Sequence, residues 1–475
     1  MATTPTVLLA YPSSFYSSTG IDDVDLKTSL LVLGSSLSSN YPVTYMDFEV
    51  AVGRPNSPTQ IRRFERHVRQ YFENNPFDIL GLSCWTSMSY SASMLVARIF
   101  RELYPDKLIA VGGYHPMARP QEFVTGDRLF DYVVCGEGEQ AFRDVAERFA
   151  SGGRPDATTV VQGTTTTSDQ FVPYQWELVD PFVQRHFPNG LPKIYIYLSR
   201  GCPFDCSFCM ESLKGRRWRP LTPAQAMAQI QSAVERYNPK IVGIADPCFG
   251  LRPGWRKEFL HLLVASKPTY QTIFETRAEY LNDDDVALLA QIPVEVQFGV
   301  ESCSPSMLRL MRKTKAPEKY LEHFYKTSRS LTEHGILHRA NMIFNHPGET
   351  RETLSESFAF IDRLLDIPQS YLMWICRAYM HYPGCELDRN RAYYEKTFGT
   401  EFRCAEWWRE DRDQYLASLD STPSTELAGD DHELWGRLLT RREERFRTGL
   451  APAAFRYAAE KYFPEWLNDP RYKQV

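Results

Sequence analysis

Three cysteines stand within eight residues, at Cys202, Cys206 and Cys209, in the run Ser199-Arg200-Gly201-Cys202-Pro203-Phe204-Asp205-Cys206-Ser207-Phe208-Cys209. The run follows the β-rich segment Tyr195-Ile196-Tyr197-Leu198, which places the CxxxCxxC spacing on a loop at the C-terminal end of a strand. Three thiolates so close together can wrap one iron–sulfur cube. Such cubes usually take four thiolates, and three leave one iron open to an outside ligand, as a catalytic rather than an electron-carrying cluster requires. A closed structural zinc site needs a fourth protein ligand; the nearest histidines are His186 and His261, and no fourth cysteine is near in sequence. Three inert core thiols are the remaining reading, and the close spacing argues against it. The other seven cysteines, Cys84, Cys135, Cys248, Cys303, Cys376, Cys385 and Cys404, are scattered and show no second cluster spacing. In a reducing compartment this pattern means metal or redox chemistry rather than a disulfide framework.

A chain of 475 residues is long enough for two or three domains. Strand runs at Thr6–Ala10, Val43–Phe48, Ile79–Ser83, Leu108–Gly112 and Tyr132–Cys135 alternate with helical periods. That order predicts a Rossmann-like, doubly wound α/β domain over residues 1–150. From Ser151 to Asp169 the composition turns to Gly, Thr and Ser, and a surface linker is expected over 151–185. Six further strand–helix units begin at Ile194, Ile241, Thr272, Val294, Ala340 and Met373. They predict a partial (β/α)6 barrel over 186–384, with its chemistry at the C-terminal strand ends. Residues 385–475 are rich in Trp, Tyr, Arg and Glu, including Trp407, Trp408, Trp435 and Trp466, and read as a mostly helical cap over the substrate.

Lys and Arg number 54 against 59 Asp and Glu, a net charge of −5, so no basic excess points to nucleic acid. The N-terminus lacks the basic region and apolar core of a signal peptide. The uncharged stretch Ile79–Ala97 carries too many serines to span a membrane. A cytoplasmic protein is expected, without membrane or nucleic-acid partners.

The cysteine run, with the aromatic Phe208 before its third cysteine, resembles the radical S-adenosylmethionine (SAM) superfamily from Lys193 to about Ala378. The resemblance implies a 4Fe-4S cluster on Cys202, Cys206 and Cys209 whose open iron binds the amino and carboxylate groups of SAM. One electron then splits SAM into methionine and a 5′-deoxyadenosyl radical. It implies further cofactor contacts at the strand ends. Asp246 either contacts SAM or initiates the Asp-Pro turn, and Arg277 either faces the SAM carboxylate or forms a salt bridge. Glu301 and Ser302 resemble the pair that hydrogen-bonds the ribose and amino group, although Cys303 replaces the usual Gly; its thiol reads as packed and inert, or as a hydrogen-atom donor. Asn345 stands where the family often has Gly, at the adenine-side strand before His346-Pro347-Gly348-Glu349. His346 reads equally as a helix-entry polar residue or a proton donor.

The leading domain has Ala10-Tyr11-Pro12-Ser13-Ser14 where a dinucleotide fold would carry GxGxxG. Two segments instead resemble cobalamin-binding domains: the strand and polar turn Ile79–Ser87, with Ser83 and Trp85, and the glycine pair Gly112-Gly113. Phe130–Glu139, with Gly136 and Glu137, is similar to cobalamin-dependent radical SAM proteins. The DxHxxG motif that supplies a cobalt-ligating histidine is absent, which implies that Trp85 or a residue of Tyr11–Tyr16 covers the lower corrin face, unless Trp85 is a core aromatic. A domain that has lost cobalamin is the open alternative. The activity implied is methylation of an unactivated carbon of a small molecule, in natural-product biosynthesis, with a flavodoxin- or ferredoxin-type electron donor. The alternatives are a non-methylating radical reaction (dehydration, ring contraction or cyclisation) and a cobalamin sensor with a structural metal.

Overall fold

The computed structural model describes residues 4–17, 25–368 and 370–428. Its first sheet is wholly parallel: β1 (Val7–Tyr11), β2 (Val43–Asp47), β3 (Ile79–Ser83), β4 (Leu108–Gly112), β5 (Tyr132–Cys135) and β6 (Thr159–Gln162), in the order β2-β1-β3-β4-β5-β6. Helices cover both faces, so β3 and β4 are near-continuous apolar runs, ILGLS and LIAVG. Helix Pro58–Asn74 starts where the Ser57 side chain accepts from Gln60 N–H, and buries Phe64, Val68 and Phe72 on one face. Helices Thr28–Leu37 and Gly138–Ala150 lie side by side on the other face. The strand order reverses between β1 and β3, and doubly wound sheets bind ligands outside the carboxyl ends of such strands.

The segment expected to be a linker is structured. Thr159-Val160-Val161-Gln162 forms β6 and pairs in register with β5, Tyr132 opposite Thr159 and Cys135 opposite Gln162. A four-residue edge strand flanked by Gly and Thr carries too little periodicity to stand out from a loop. Beyond it Tyr174, Trp176, Val179 and Phe182 are buried in a core continuous with both sheets.

The second sheet contains β7 (Lys193–Ile196), which is followed by a short antiparallel pair, β8 (Ser199–Arg200) with β9 (Arg219–Pro220). Then come β10 (Ile241–Ile244), β11 (Gln271–Thr276), β12 (Val294–Glu301), β13 (Leu337–Phe344) and β14 (Leu372–Ala378). These and β7 are parallel neighbours in chain order, with β7 and β14 at the two edges: an open barrel of six strands. Each of the six was expected from the sequence. Capping boxes at Thr222, Asn282 and Thr350 start three of the intervening helices.

The described C-terminal residues form short helices at Glu386–Arg389, Arg391–Phe398 and Gln414–Ser418, with a two-stranded pair of Glu401–Phe402 and Ser421–Thr422. Trp407 and Trp408 are fully buried. This region straps back onto the first domain: Trp408 Nε1 donates to Glu122 at 2.9 Å, Gln414 N–H to the Tyr16 carbonyl at 2.8 Å, and Arg119 pairs with Asp388 at 2.6 Å. Trp435 and Trp466 lie outside the described residues. Among the described residues no helix is long and apolar enough to cross a membrane.

Candidate active site

The cysteine loop leaves β7 through the β8–β9 pair. Gly201 has φ +78°, and a Cβ there would stand 2.4 Å from the Arg217 carbonyl oxygen, so only glycine fits the stem. The loop is pinned at Ser207, between the second and third cysteines: Ser207 N–H donates to Met311 O at 2.9 Å, and Leu387 N–H to Ser207 O at 2.9 Å. Cys206 is buried, and Cys202 and Cys209 are half-buried. Burial raises all three thiols, Cys209 to about 12, so metal binding has to displace their protons. Among the described residues no three His, Cys, Asp or Glu side chains converge as the ligands of a single metal ion would. Three sulfurs on one loop, each able to take a different iron, fit a polynuclear centre better than a lone zinc.

Asp246, at the end of β10, does not face a ligand. Its Oδ1 accepts from Leu198 N–H at 2.8 Å and Ser199 N–H at 2.9 Å, and its Oδ2 from the Ser199 hydroxyl at 2.6 Å. Its hydrogen bonds match neither expectation: Asp246 holds the stem of the cysteine loop, and burial pushes its carboxyl up to about 7. Arg277 is likewise committed. Its guanidinium lies 4.0 Å over the Phe204 ring, pairs with Glu279 at 2.5 Å and donates to Lys313 O at 2.9 Å. It braces the loop that carries the cysteines, because its fork is filled by protein acceptors. Ser302 Oγ is buried, accepts from Ser304 N–H at 3.1 Å and lies 3.4 Å from Ser357 Oγ.

The other strand ends leave room for a ligand. β12 has a register shift between Gly299 and Glu301, and Glu301 has φ +69°, so the bulge turns its carboxylate to Lys313 Nζ at 3.1 Å. Cys303 is buried and is not among the left-handed residues, so replacing Gly there strains nothing. Asn345 has φ +62°, a conformation open to Gly and Asn, which accounts for the interchange at this position. Its Nδ2 donates to Ser421 O at 3.1 Å, while its buried Oδ1 has no partner among the described residues. A ligand N–H would satisfy that oxygen. His346 is buried with Nδ1 2.8 Å from Pro347 O, and burial lowers it to about 4, so it is neutral. Phe208 packs edge-on to it and into a small apolar cluster with Tyr379, Leu387 and Tyr394.

A cavity of about 210 Å³ opens at the seam of the two domains. Ser83, Trp85, Gly112, Gly113, Gly136 and Glu137 all line it, and so do Tyr197, Ser199, Arg200 and Gly201 from the stem of the cysteine loop. Leu33, Gly81, Ala110 and Phe142 line an apolar slot that runs between the sheet and its helices. Gly113 has φ +120°, and a Cβ on it would meet the Cys84 carbonyl oxygen at 2.3 Å. Trp85 is 43% exposed, so it is a wall of this cavity and not a core aromatic. Tyr11 and Tyr16 are buried elsewhere, and no residue of 11–16 reaches the cavity. Among the described residues no histidine is part of its walls.

Glu137 lines the cavity, but its carboxylate is spent across the seam. It binds the Arg219 guanidinium through both oxygens, accepts from Thr166 N–H at 2.9 Å and lies 3.4 Å from Arg200. These partners hold it well down, to about 2. Glu137 is thus a latch between β5 and the cysteine-loop stem. Glu137→Ala is expected to cost about 3 kcal/mol, seen as a lower thermal midpoint. Because the folded-state pKa is depressed from 4.5 to about 2, the latch is fully present above about pH 4.5 and is lost as pH falls toward 2.

The radical SAM superfamily matches residues 196–361, and the B12 binding domain matches residues 29–146. The chain therefore carries both domain types, a B12-binding domain followed by a radical SAM domain. The two domain types imply a 4Fe-4S cluster, SAM and cobalamin as its cofactors. It is 25% identical over 305 residues to an uncharacterized methyltransferase of Pyrococcus horikoshii, covering 60% of this chain and 64% of that protein. It is 24% identical over 314 residues to the anaerobic magnesium-protoporphyrin IX monomethyl ester cyclase of Rubrivivax gelatinosus, covering 62% of this chain and 56% of the cyclase. The radical SAM methyltransferase TsrM of Kitasatospora setae, solved with cobalamin and a 4Fe-4S cluster bound, superposes with a TM-score of 0.66 at 17% identity over 92% of this chain and 88% of TsrM. That likeness is one of fold.

Proposed function

We propose that this protein is a cobalamin-dependent radical SAM methyltransferase acting on an unactivated carbon of a small molecule, in natural-product biosynthesis. The observation that carries the reading is the shared cavity: one space is walled by the glycine-rich strand ends of the first domain and by the stem of the cysteine loop. When bound, the cluster with SAM supplies a hydrogen-abstracting 5′-deoxyadenosyl radical, and a methylated corrinoid supplies the methyl group. The chain's own residues position and exclude. Cys202, Cys206 and Cys209 hold the cluster, braced by Arg277 and by the Asp246 hydrogen bonds to the stem. Glu301 and Asn345 are the polar groups offered to SAM, and the family's contact at Ser302 reduces to shaping the turn that carries Glu301. Gly112, Gly113, Ser83 and Gly136 would hold the corrinoid, with the Trp85 ring as an apolar wall against it. A substrate seated at the seam would be held against both walls and away from bulk water.

A low-potential flavodoxin- or ferredoxin-type donor in the cytoplasm would supply the electron. The cyclase relative favours a second reading, a radical reaction without methyl transfer. Product analysis of the anaerobic, reconstituted enzyme separates them. Methylation yields S-adenosylhomocysteine together with 5′-deoxyadenosine and a product one methyl heavier; a non-methylating enzyme yields 5′-deoxyadenosine alone.

A further inference from the structure

Three charged side chains meet at the end of β12 around a missing one. A Cβ at Gly299 would stand 2.6 Å from Glu301 Oε1, 3.0 Å from Lys313 Nζ and 3.1 Å from Glu275 Oε1. Glu275 comes from β11 and Lys313 from the turn after helix Pro305–Leu310, so the group is assembled from separate units of the barrel. Lys313 pairs with Glu301, at 3.1 Å. Glu275 receives a side-chain hydrogen bond from Asn341 of β13, which is neutral. The nearby Arg277 is matched by Glu279, and the Tyr320 hydroxyl donates to Gly299 O. Two carboxyl groups therefore face one ammonium, and Glu275, which burial and the neighbouring Glu301 charge push up to about 7, is the one without a full cationic partner among the described residues. Glu275 is half-buried and faces the barrel interior beside Cys202, where water screens it poorly.

We propose that Glu275 is the counter-charge for a cationic cofactor in the barrel, and that it makes the site prefer the sulfonium of SAM over the neutral thioether of S-adenosylhomocysteine. A bare carboxylate in a confined site lowers the free energy of a cation there and does little for an uncharged analogue of the same shape. Lys313 is paired with Glu301 at 3.1 Å and offsets Glu275 only in part. The inference rests on the radical SAM reading, but requires neither cobalamin nor a methylated product.

The test is anaerobic isothermal titration of the cluster-loaded protein with SAM and, separately, with S-adenosylhomocysteine, with iron per chain measured on each sample. Wild type is expected to bind SAM more tightly than S-adenosylhomocysteine. Glu275→Gln is expected to weaken SAM roughly ten-fold and leave S-adenosylhomocysteine within about two-fold. Glu275→Asp, which keeps the charge, is expected to restore most of the preference. Equal affinities in wild type, parallel loss of both ligands in Glu275→Gln at unchanged iron, or no loss of SAM would each overturn the proposal. A Glu275→Gln protein that fails to fold leaves the wild-type comparison and the Glu275→Asp variant to decide it. Absence of any SAM binding by wild type would instead sink the radical SAM reading.

Discussion

Cys206→Ala is expected to strip iron from the protein and to abolish SAM cleavage, by on the order of a thousand-fold or more. Losing an outer-shell partner of a metal site already costs about ten- to a hundred-fold, and Cys206 is proposed as a direct ligand. It is the most buried of the three thiols and sits in the middle of a loop fixed by hydrogen bonds at Ser207. Iron and acid-labile sulfide per chain, with 5′-deoxyadenosine formation, report the loss. Cys404→Ala is the control, since that half-buried thiol lies in the C-terminal strap, and its iron content is expected to match wild type. The corrinoid cavity is walled by the stem of the loop and by none of the three cysteines, so Cys206→Ala should still take up cobalt.

Gly112→Leu is expected to do the converse. The backbone at Gly112 is not left-handed, and a Cβ there would meet its nearest neighbour, Val134 O, at an ordinary 3.5 Å. The backbone therefore accepts the substitution, while the rest of the side chain projects into the cavity. Overpacking of this kind costs about 1–3 kcal/mol, roughly ten- to a hundred-fold in corrinoid affinity. Cobalt per chain after reconstitution, alongside unchanged iron, is the measurement. Cobalt at the wild-type level would show that the corrinoid does not occupy this space.

Much of this architecture was legible in the chain. The barrel strands are apolar runs bounded by capped helices, and the cysteine triplet and the Gly112-Gly113 pair are strings whose chemistry is local. What the string hides is direction. Asp246, Arg277, Ser302 and Glu137 are polar residues at strand ends or in the turns just beyond them, where ligands are expected, yet each hydrogen-bonds loop backbone or neighbouring side chains. Whether such a side chain faces outward to a ligand or back into the turn depends on chain segments far away in sequence. Arg219 lies 82 residues from Glu137. Lys313 was missed because Arg309, Arg312, Lys313 and Lys315 look like an ordinary solvated basic stretch, whereas the fold buries only Lys313 among them. β6 was missed because its only signal was two valines among threonines.

One apolar interior runs beneath both sheets, from Val7 through Trp176 and Ile194 to Trp408. Residues 159–183 and the Trp407-Trp408 strap are stitched into it from opposite ends of the barrel. The two halves are therefore not modules that can travel past one another like cars on a track. A single thermal transition, read by calorimetry, is the expected outcome for both halves, with the corrinoid wall and the stem of the cysteine loop meeting across one seam.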